Sequence, residues 1–362
     1  MIKQPVAICA SSSSEAYSRF TARKILASLL ILALLVVVAL VATTIGGVDL
    51  GVGAVARSIV ARIAPWSGLT VDPMADVIVG HLRLPRIVMG ILAGGGLAIA
   101  GAAMQGALRN PLVCPFTIGV ASGAALGASL AIIAGFGLIG MGRYVVMTNA
   151  FLFAMGTSLL ILGVARLRGV TPESFLLVGI ALMSFFGAAT GLLQFVATEG
   201  ELVAVVHWMF GSLTGSSWVN IATVAVVLLI CIPIMIRYSW DLNAMACGGD
   251  EVSKSLGVNC GRVRTVSMLL ASLIAASIIT FTGLIAFVGL VAPHITRLLI
   301  GADHRFLLPA SIAMGALLLV IADTIGRTIV SPVIIPVGIV ISFVGAPFFF
   351  YLLMVRRREY WQ

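Results

Sequence analysis

ILASLLILALLVVVALVATTI, residues 25–45, runs for 21 positions without a charged residue, a proline or a glycine. At 1.5 Å per residue it makes a helix about 32 Å long, which matches the ~30 Å hydrocarbon core of a bilayer. The stretch is longer than the hydrophobic region of a secretory signal, so it reads as a retained first membrane helix. Residues 145–167, 221–236 and 334–355 carry comparable apolar runs. The whole chain follows suit: 60% of its residues are hydrophobic and 10% charged, with a mean hydropathy of +1.17. A soluble domain carries about 25% charged residues, so water is not the solvent for most of this surface.

Reading apolar runs against charges, prolines and glycines places ten helices near 25–45, 85–107, 115–135, 145–167, 173–197, 218–237, 264–284, 285–300, 306–326 and 335–355. The fold class is all-α, a polytopic transmembrane bundle. No charge interrupts the chain between Arg264 and His294, and that stretch is too long for one crossing. Gly283, Gly289 and Pro293 must supply its break. Residues 1–23 are expected as an N-terminal tail, 24–356 as the membrane domain and 357–362 as a C-terminal tail.

The net charge of +9 would suggest nucleic acid in a soluble chain. Here the basic residues fall in short loops, and placing both termini in the cytoplasm puts sixteen of the 22 Lys and Arg residues inside. That asymmetry is the positive-inside pattern of a multi-pass cell-membrane protein, and no nucleic-acid partner is expected. Two longer polar segments remain. Residues 49–81, outside, contain Val52, Val55, Ile59 and Ile63 at helical spacing, the pattern of an interfacial helix. Residues 239–264, inside, hold Asp241, Asp250, Glu251, Lys254, Arg262 and Arg264, and form the best surface for a cytoplasmic partner.

No enzymatic constellation is present. None of the three lysines follows a glycine, so a phosphate-binding GxxxxGK[ST] loop is missing and any ATP-derived energy must come from another subunit. The five cysteines and four histidines lack metal-ligand spacing, so no metal or other cofactor is expected. Asp323 is the carboxylate inside a predicted span. It reads either as a proton relay or as the partner of Arg327 one turn away. Arg83, Arg86 and Arg327 sit at outer helix ends, where they either snorkel to headgroups or receive carboxylates of an external partner. Glycines crowd the second and third helices, at 90, 94, 95, 96, 101, 106, 119, 123 and 127. Small residues there serve either close helix packing or a wide path.

The segments Arg83-Leu84-Pro85-Arg86, Gly101-Ala102-Ala103-Met104-Gln105, Arg109-Asn110-Pro111-Leu112, Trp208 with Gly211-Ser212-Leu213, Ser255-Leu256-Gly257-Val258, Phe287-Val288-Gly289-Leu290, Pro293-His294, Gly301-Ala302-Asp303-His304-Arg305 and Pro336-Val337-Gly338 occur in one order. Together they resemble the FecCD-type permeases, the membrane subunits of ABC importers for iron siderophores, haem and vitamin B12. The resemblance runs from about Arg83 to Leu353. It implies a vitamin B12 permease-like bundle of ten helices that translocates a metal chelate, with iron siderophore or haem the first expectation. It further implies a homodimer, two cytoplasmic ATPase subunits that hold the ATP and Mg, and an extracytoplasmic substrate-binding protein. It assigns Arg83, Arg86 and Arg327 to docking of that protein. It assigns Gly249, Asp250, Glu251, Ser255, Leu256, Gly257 and Val258 to coupling with the ATPase. The chain departs from the family pattern at Ile334, where many members carry an acid, and at Cys114. An ion-coupled secondary transporter working through Asp323 is the alternative.

Overall fold

The computed structural model describes residues 6–46, 50–137, 142–169 and 171–355. Among them it is helical throughout, without strands. The elements are α1 (Val6–Thr44), α2 (Val52–Ile63), α3 (Pro73–Val77) with a π-helical extension over Ile78–Arg83, α4 (Leu84–Leu108), α5 (Val120–Ile133), α6 (Arg143–Arg168) and α7 (Pro172–Val196). The chain continues through α8 (Glu199–Met209), α9 (Trp218–Arg237), α10 (Ser239–Ser255), α11 (Cys260–Thr282), α12 (Val288–Ile300), α13 (His304–Thr328) and α14 (Val337–Val355).

All ten expected spans have a counterpart. Among the described residues seven helices are long and apolar enough to cross a membrane, while α5, α12 and the apolar part of α14 are shorter. The 13 residues of α12 cover about 20 Å, so the span they belong to is completed by irregular chain. That irregular chain is the break expected between 264 and 300. Gly283 ends α11 at φ 68°, and Phe287 precedes α12 at φ 64°. Gly289 and Pro293 lie inside α12 and break nothing. The segment with the interfacial pattern forms a helix, α2. Three findings go beyond the expectation: α1 reaches back to Val6, α8 is a separate helix, and the polar segment from 239 is mostly helical.

Helix α4 is the axis of the bundle. It is buried along nearly its whole length and packs on α9, α11, α12 and α13, while α5 packs on α6 and α7, and α1 on α13. Its glycines explain the contact. A Cβ on Gly94 would strike the Gly315 carbonyl of α13, and one on Gly101 the Gly289 carbonyl of α12. Farther along, Gly123 and Gly127 of α5 lie against Thr157 and Asn149 of α6. Between apolar helices in lipid the driving force is close van der Waals contact, and small residues permit it. Close packing is therefore the use of these glycines. The outward faces of α1, α7 and α9 instead expose leucine, valine and isoleucine.

Candidate functional site

Polar side chains gather at the two ends of the bundle, and irregular backbone gathers between them. At the end where α1 stops, Arg83, Arg86 and Arg327 converge as expected. They are not open cations: each is less than 9% exposed. Arg86 grips Asp323 with Nε at 2.9 and 3.0 Å and Nη2 at 2.8 Å. Arg327 Nε lies 3.2 Å from Oδ2 of Asp323. Arg83 donates to the carbonyls of Thr43 and Thr44 at 2.8 and 2.9 Å, and Arg327 to those of Ile45 and Ala42 at 3.0 and 3.3 Å. The last carbonyls of a helix have no intrahelical donor and carry the negative end of its dipole, so two guanidiniums satisfy both needs of α1. Asp323 thus pairs with Arg327 one turn away. Its stronger partner, Arg86, lies 237 positions distant and could not be read from the sequence.

At the opposite end, α10 and the turn that follows it carry the residues expected to couple to a partner. Their environments differ. Glu251, Ser255, Leu256 and Gly257 are exposed, with Val252 47% and Leu256 66% exposed on one short helical arm. Asp250 turns inward and takes Arg264 Nη1 and Nη2 at 2.6 Å each, with Arg109 Nη2 at 3.7 Å. The hydrogen bonds from Arg264 hold its carboxyl below the usual carboxylate range. Gly249 and Val258 are half-buried. Gly249 has φ 75°, and Gly257, at φ 83°, makes the turn toward α11.

A second cluster at this end was not foreseen. Asp303, which caps α13, receives Arg305 Nη2 at 2.6 Å and Asn243 Nδ2 at 2.8 Å, with Lys24 Nζ at 3.9 Å. Burial alone would raise its pKa, but the bonds from Arg305 and Asn243 outweigh that and hold it at about 2. Arg305 also lies over Trp240 at 4.3 Å and donates to Tyr17 at 3.2 Å. The sequence signal was an aspartate immediately before a helix, the usual N-cap pattern; nothing in the sequence marked Asn243.

Between the ends, three interruptions meet. Ser212 donates its N–H to the Thr282 carbonyl at 2.7 Å, and Gly338 donates to Gly211 at 3.3 Å. A Cβ on Gly283 would collide with the Trp208 carbonyl, and one on Gly211 with that of Leu284. Cavities flank this knot on two sides. One, of about 540 Å3, is lined by Phe116, Phe210, Leu284, Ser342 and Phe343. The other, of about 570 Å3, is lined by His207, Trp208, Thr214, Thr280 and Thr282. Non-helical backbone is tolerated at membrane depth where it is buried in protein or lines a cavity, and this segment does both.

Comparison with known proteins fits this architecture. The profile of the FecCD transport family matches residues 31–355. The chain belongs to the FecCD transport family. A chain of Methanocaldococcus jannaschii, named as an ABC transporter permease protein, is 42% identical over 94% of this chain and 97% of its own length. The Fe(3+)-citrate import system permease protein YfmE of Bacillus subtilis is 38% identical over 93% and 97%. Other relatives, 35–39% identical, bear names for cobalamin, molybdate and hemin import. A solved structure, described as an inward-facing conformation of a metal-chelate type ABC transporter, superposes with a TM-score of 0.78. It is 33% identical, and the match covers 90% of this chain and 98% of that one. This FecCD member is a multi-pass membrane permease. Two of the segments that carry the family resemblance, Gly211-Ser212-Leu213 and Pro336-Val337-Gly338, lie in the central knot.

Proposed function

We propose that this chain is the membrane subunit of an ABC importer that carries a metal chelate, an iron siderophore or haem before other cargoes. The single observation that supports this most is the family match across the full bundle, since the same stretch contains the central knot and its two cavities. Two copies are inferred to enclose the path, with the apolar face of α14 around Phe343 toward it. Two ATPase subunits hold the ATP and Mg, and a binding protein delivers the cargo outside. Both termini lie in the cytoplasm, which puts α10 on the ATPase side. Val252 and Leu256, apolar and exposed among Glu251, Lys254 and Ser255, suit insertion into a groove of that subunit.

The outer rim at Arg83, Arg86 and Arg327 is the inferred docking place for the binding protein. Since these side chains are engaged inward, acidic residues of a partner would meet them only after exchanging with Asp323 or the α1 carbonyls. Ion-coupled transport through Asp323 is disfavoured, because Arg86 already engages both carboxylate oxygens and Arg327 lies beside them.

The test is co-purification with the ATPase encoded beside this chain, followed by ATPase assay in lipid with the neighbouring binding protein loaded with ferric siderophore, haem, cobalamin or molybdate. Stimulation by one loaded form is the expected result. Leu256→Glu should remove the ATPase, and reversal of the three arginines should abolish the stimulation. Failure of the ATPase to associate with the native chain would refute the proposal.

A further inference from the structure

We propose that Asn243 and Asp250 are positioning residues that tie the two arms of α10 to different spans, so that movement of α10 reaches α13 through Asn243 and α4 through Asp250. The inference rests on the reading of α10 as the ATPase contact.

Helix α10 is two helices joined at Gly249, whose φ of 75° and ψ of −170° are not helical. The first arm, residues 239–248, is held by one amide. Asn243 Nδ2 donates to Asp303 Oδ1 at 2.8 Å, and its Oδ1 accepts the His304 N–H at 2.8 Å while lying 2.9 Å from His304 Nδ1. Both functional atoms of Asn243 therefore engage the start of α13. Trp240, on the same arm, stacks on Arg305 in that turn.

The second arm, residues 250–255, is held by a carboxylate. Asp250 takes both terminal nitrogens of Arg264, and Arg264 Nε donates to the Ala107 carbonyl in the last turn of α4 at 3.1 Å. Arg264 is 1% exposed, while the Asp250 end of the bridge is 31% exposed. A bidentate guanidinium–carboxylate pair fixes orientation as well as distance. Arg109, just past α4, adds a second cation to Asp250.

Ser253 couples the arms to each other, donating to the Gly249 carbonyl at 2.6 Å and lying 3.1 Å from the Ala244 carbonyl. The exposed Val252 lies on the second arm, and the exposed Leu256 follows it directly. A push on them therefore acts first on α4 through Asp250, and on α13 through the hinge and Asn243. Since α4 packs along α13, the two ties act on both sides of one interface. A change in their relative position shears that interface, whereas a single tie would only translate the bundle.

The test is hydrogen exchange, read by mass spectrometry, on this chain with its ATPase in lipid nanodiscs, with and without ATP and vanadate. The native complex is expected to respond at residues 101–108 of α4 and 304–313 of α13. Asn243→Ala should reduce the nucleotide response at 304–313 about tenfold, within the usual range of coupling between sites, and spare 101–108. Asp250→Asn should do the reverse, and Asp250→Glu should restore it. If Asp250→Asn fails to reach the membrane, Asp250→Glu and Asn243→Ala still decide. Retention of both responses in the variants, equal loss of both, or a native complex that binds ATPase without responding would overturn the inference. A native chain that binds no ATPase overturns instead the reading of α10 as the contact.

Discussion

Replacing Asp323 with leucine tests the polar end of the bundle most directly. The carboxylate is 3% exposed and takes three hydrogen bonds from Arg86 and an ion-pair contact from Arg327. Removing one partner of a buried pair typically costs about 3–5 kcal/mol, because the remaining charge is left buried without compensation. Arg327 keeps its bonds to Ile45 and Ala42, whereas Arg86 has no other side-chain acceptor among the described residues, so most of the loss belongs to Arg86. The double variant Asp323→Leu, Arg86→Leu should therefore recover about 1–3 kcal/mol relative to the sum of the two single changes, the coupling usual for residues in contact. Reversible unfolding in mixed micelles, followed by far-ultraviolet circular dichroism, measures both quantities. Native stability in Asp323→Leu, or strict additivity in the double variant, would refute the argument that this carboxylate serves as counter-charge.

Other consequences are as specific. Gly101→Ala places a methyl group into the Gly289 carbonyl; α4 and α12 must separate, and the same unfolding assay should show a loss of about 1–3 kcal/mol. Asp303, held at about 2 in the folded chain, lies below its ordinary value near 3.9. Its contribution is fully present above pH ~4 and is lost as pH falls toward 2, amounting to no more than about 2 kcal/mol once solvent screening of this partly exposed group is allowed for. Asp303→Asn should flatten that part of the stability–pH curve, and an unchanged slope between pH 4 and 2 would contradict the assignment. Trp66, 84% exposed just after α2, is expected at the headgroup level. The fluorescence lost on Trp66→Phe should be quenched by lipids brominated near the carbonyls and not by bromines at the chain ends.

The spans were legible because lipid imposes length and composition: a helix must supply about twenty apolar positions and satisfy its own backbone. Residues 25–45 and 145–167 carry that signal without help from distant contacts. The break at Gly283 was legible only as a need, and Gly289 and Pro293 were equally eligible in sequence. What selected Gly283 is tertiary, the Trp208 carbonyl that occupies the space of a Cβ. The three arginines were legible as a group at one end, but their orientation was not. Their partners include Asp323, more than two hundred positions from Arg86, and backbone carbonyls that have no sequence signature. Asn243 illustrates the same limit, since an asparagine in a charged loop is ordinary until the fold brings Asp303 and His304 to it.

The placement of irregular backbone carries the argument from fold to transport. Each uncompensated peptide group in hydrocarbon costs several kcal/mol, so three helix interruptions would not accumulate at one depth facing lipid. Here they compensate one another through Ser212 to Thr282 and Gly338 to Gly211, and cavities open on either side. Glycines at 211, 283 and 338 let the segments touch backbone to backbone, which leaves little side-chain bulk between the cavities. The contact between the two cavities is therefore made of backbone rather than of interlocked side chains. The two polar ends do different things: one anchors α1 to α4 and α13, and the other holds α10 against α4, α11 and α13.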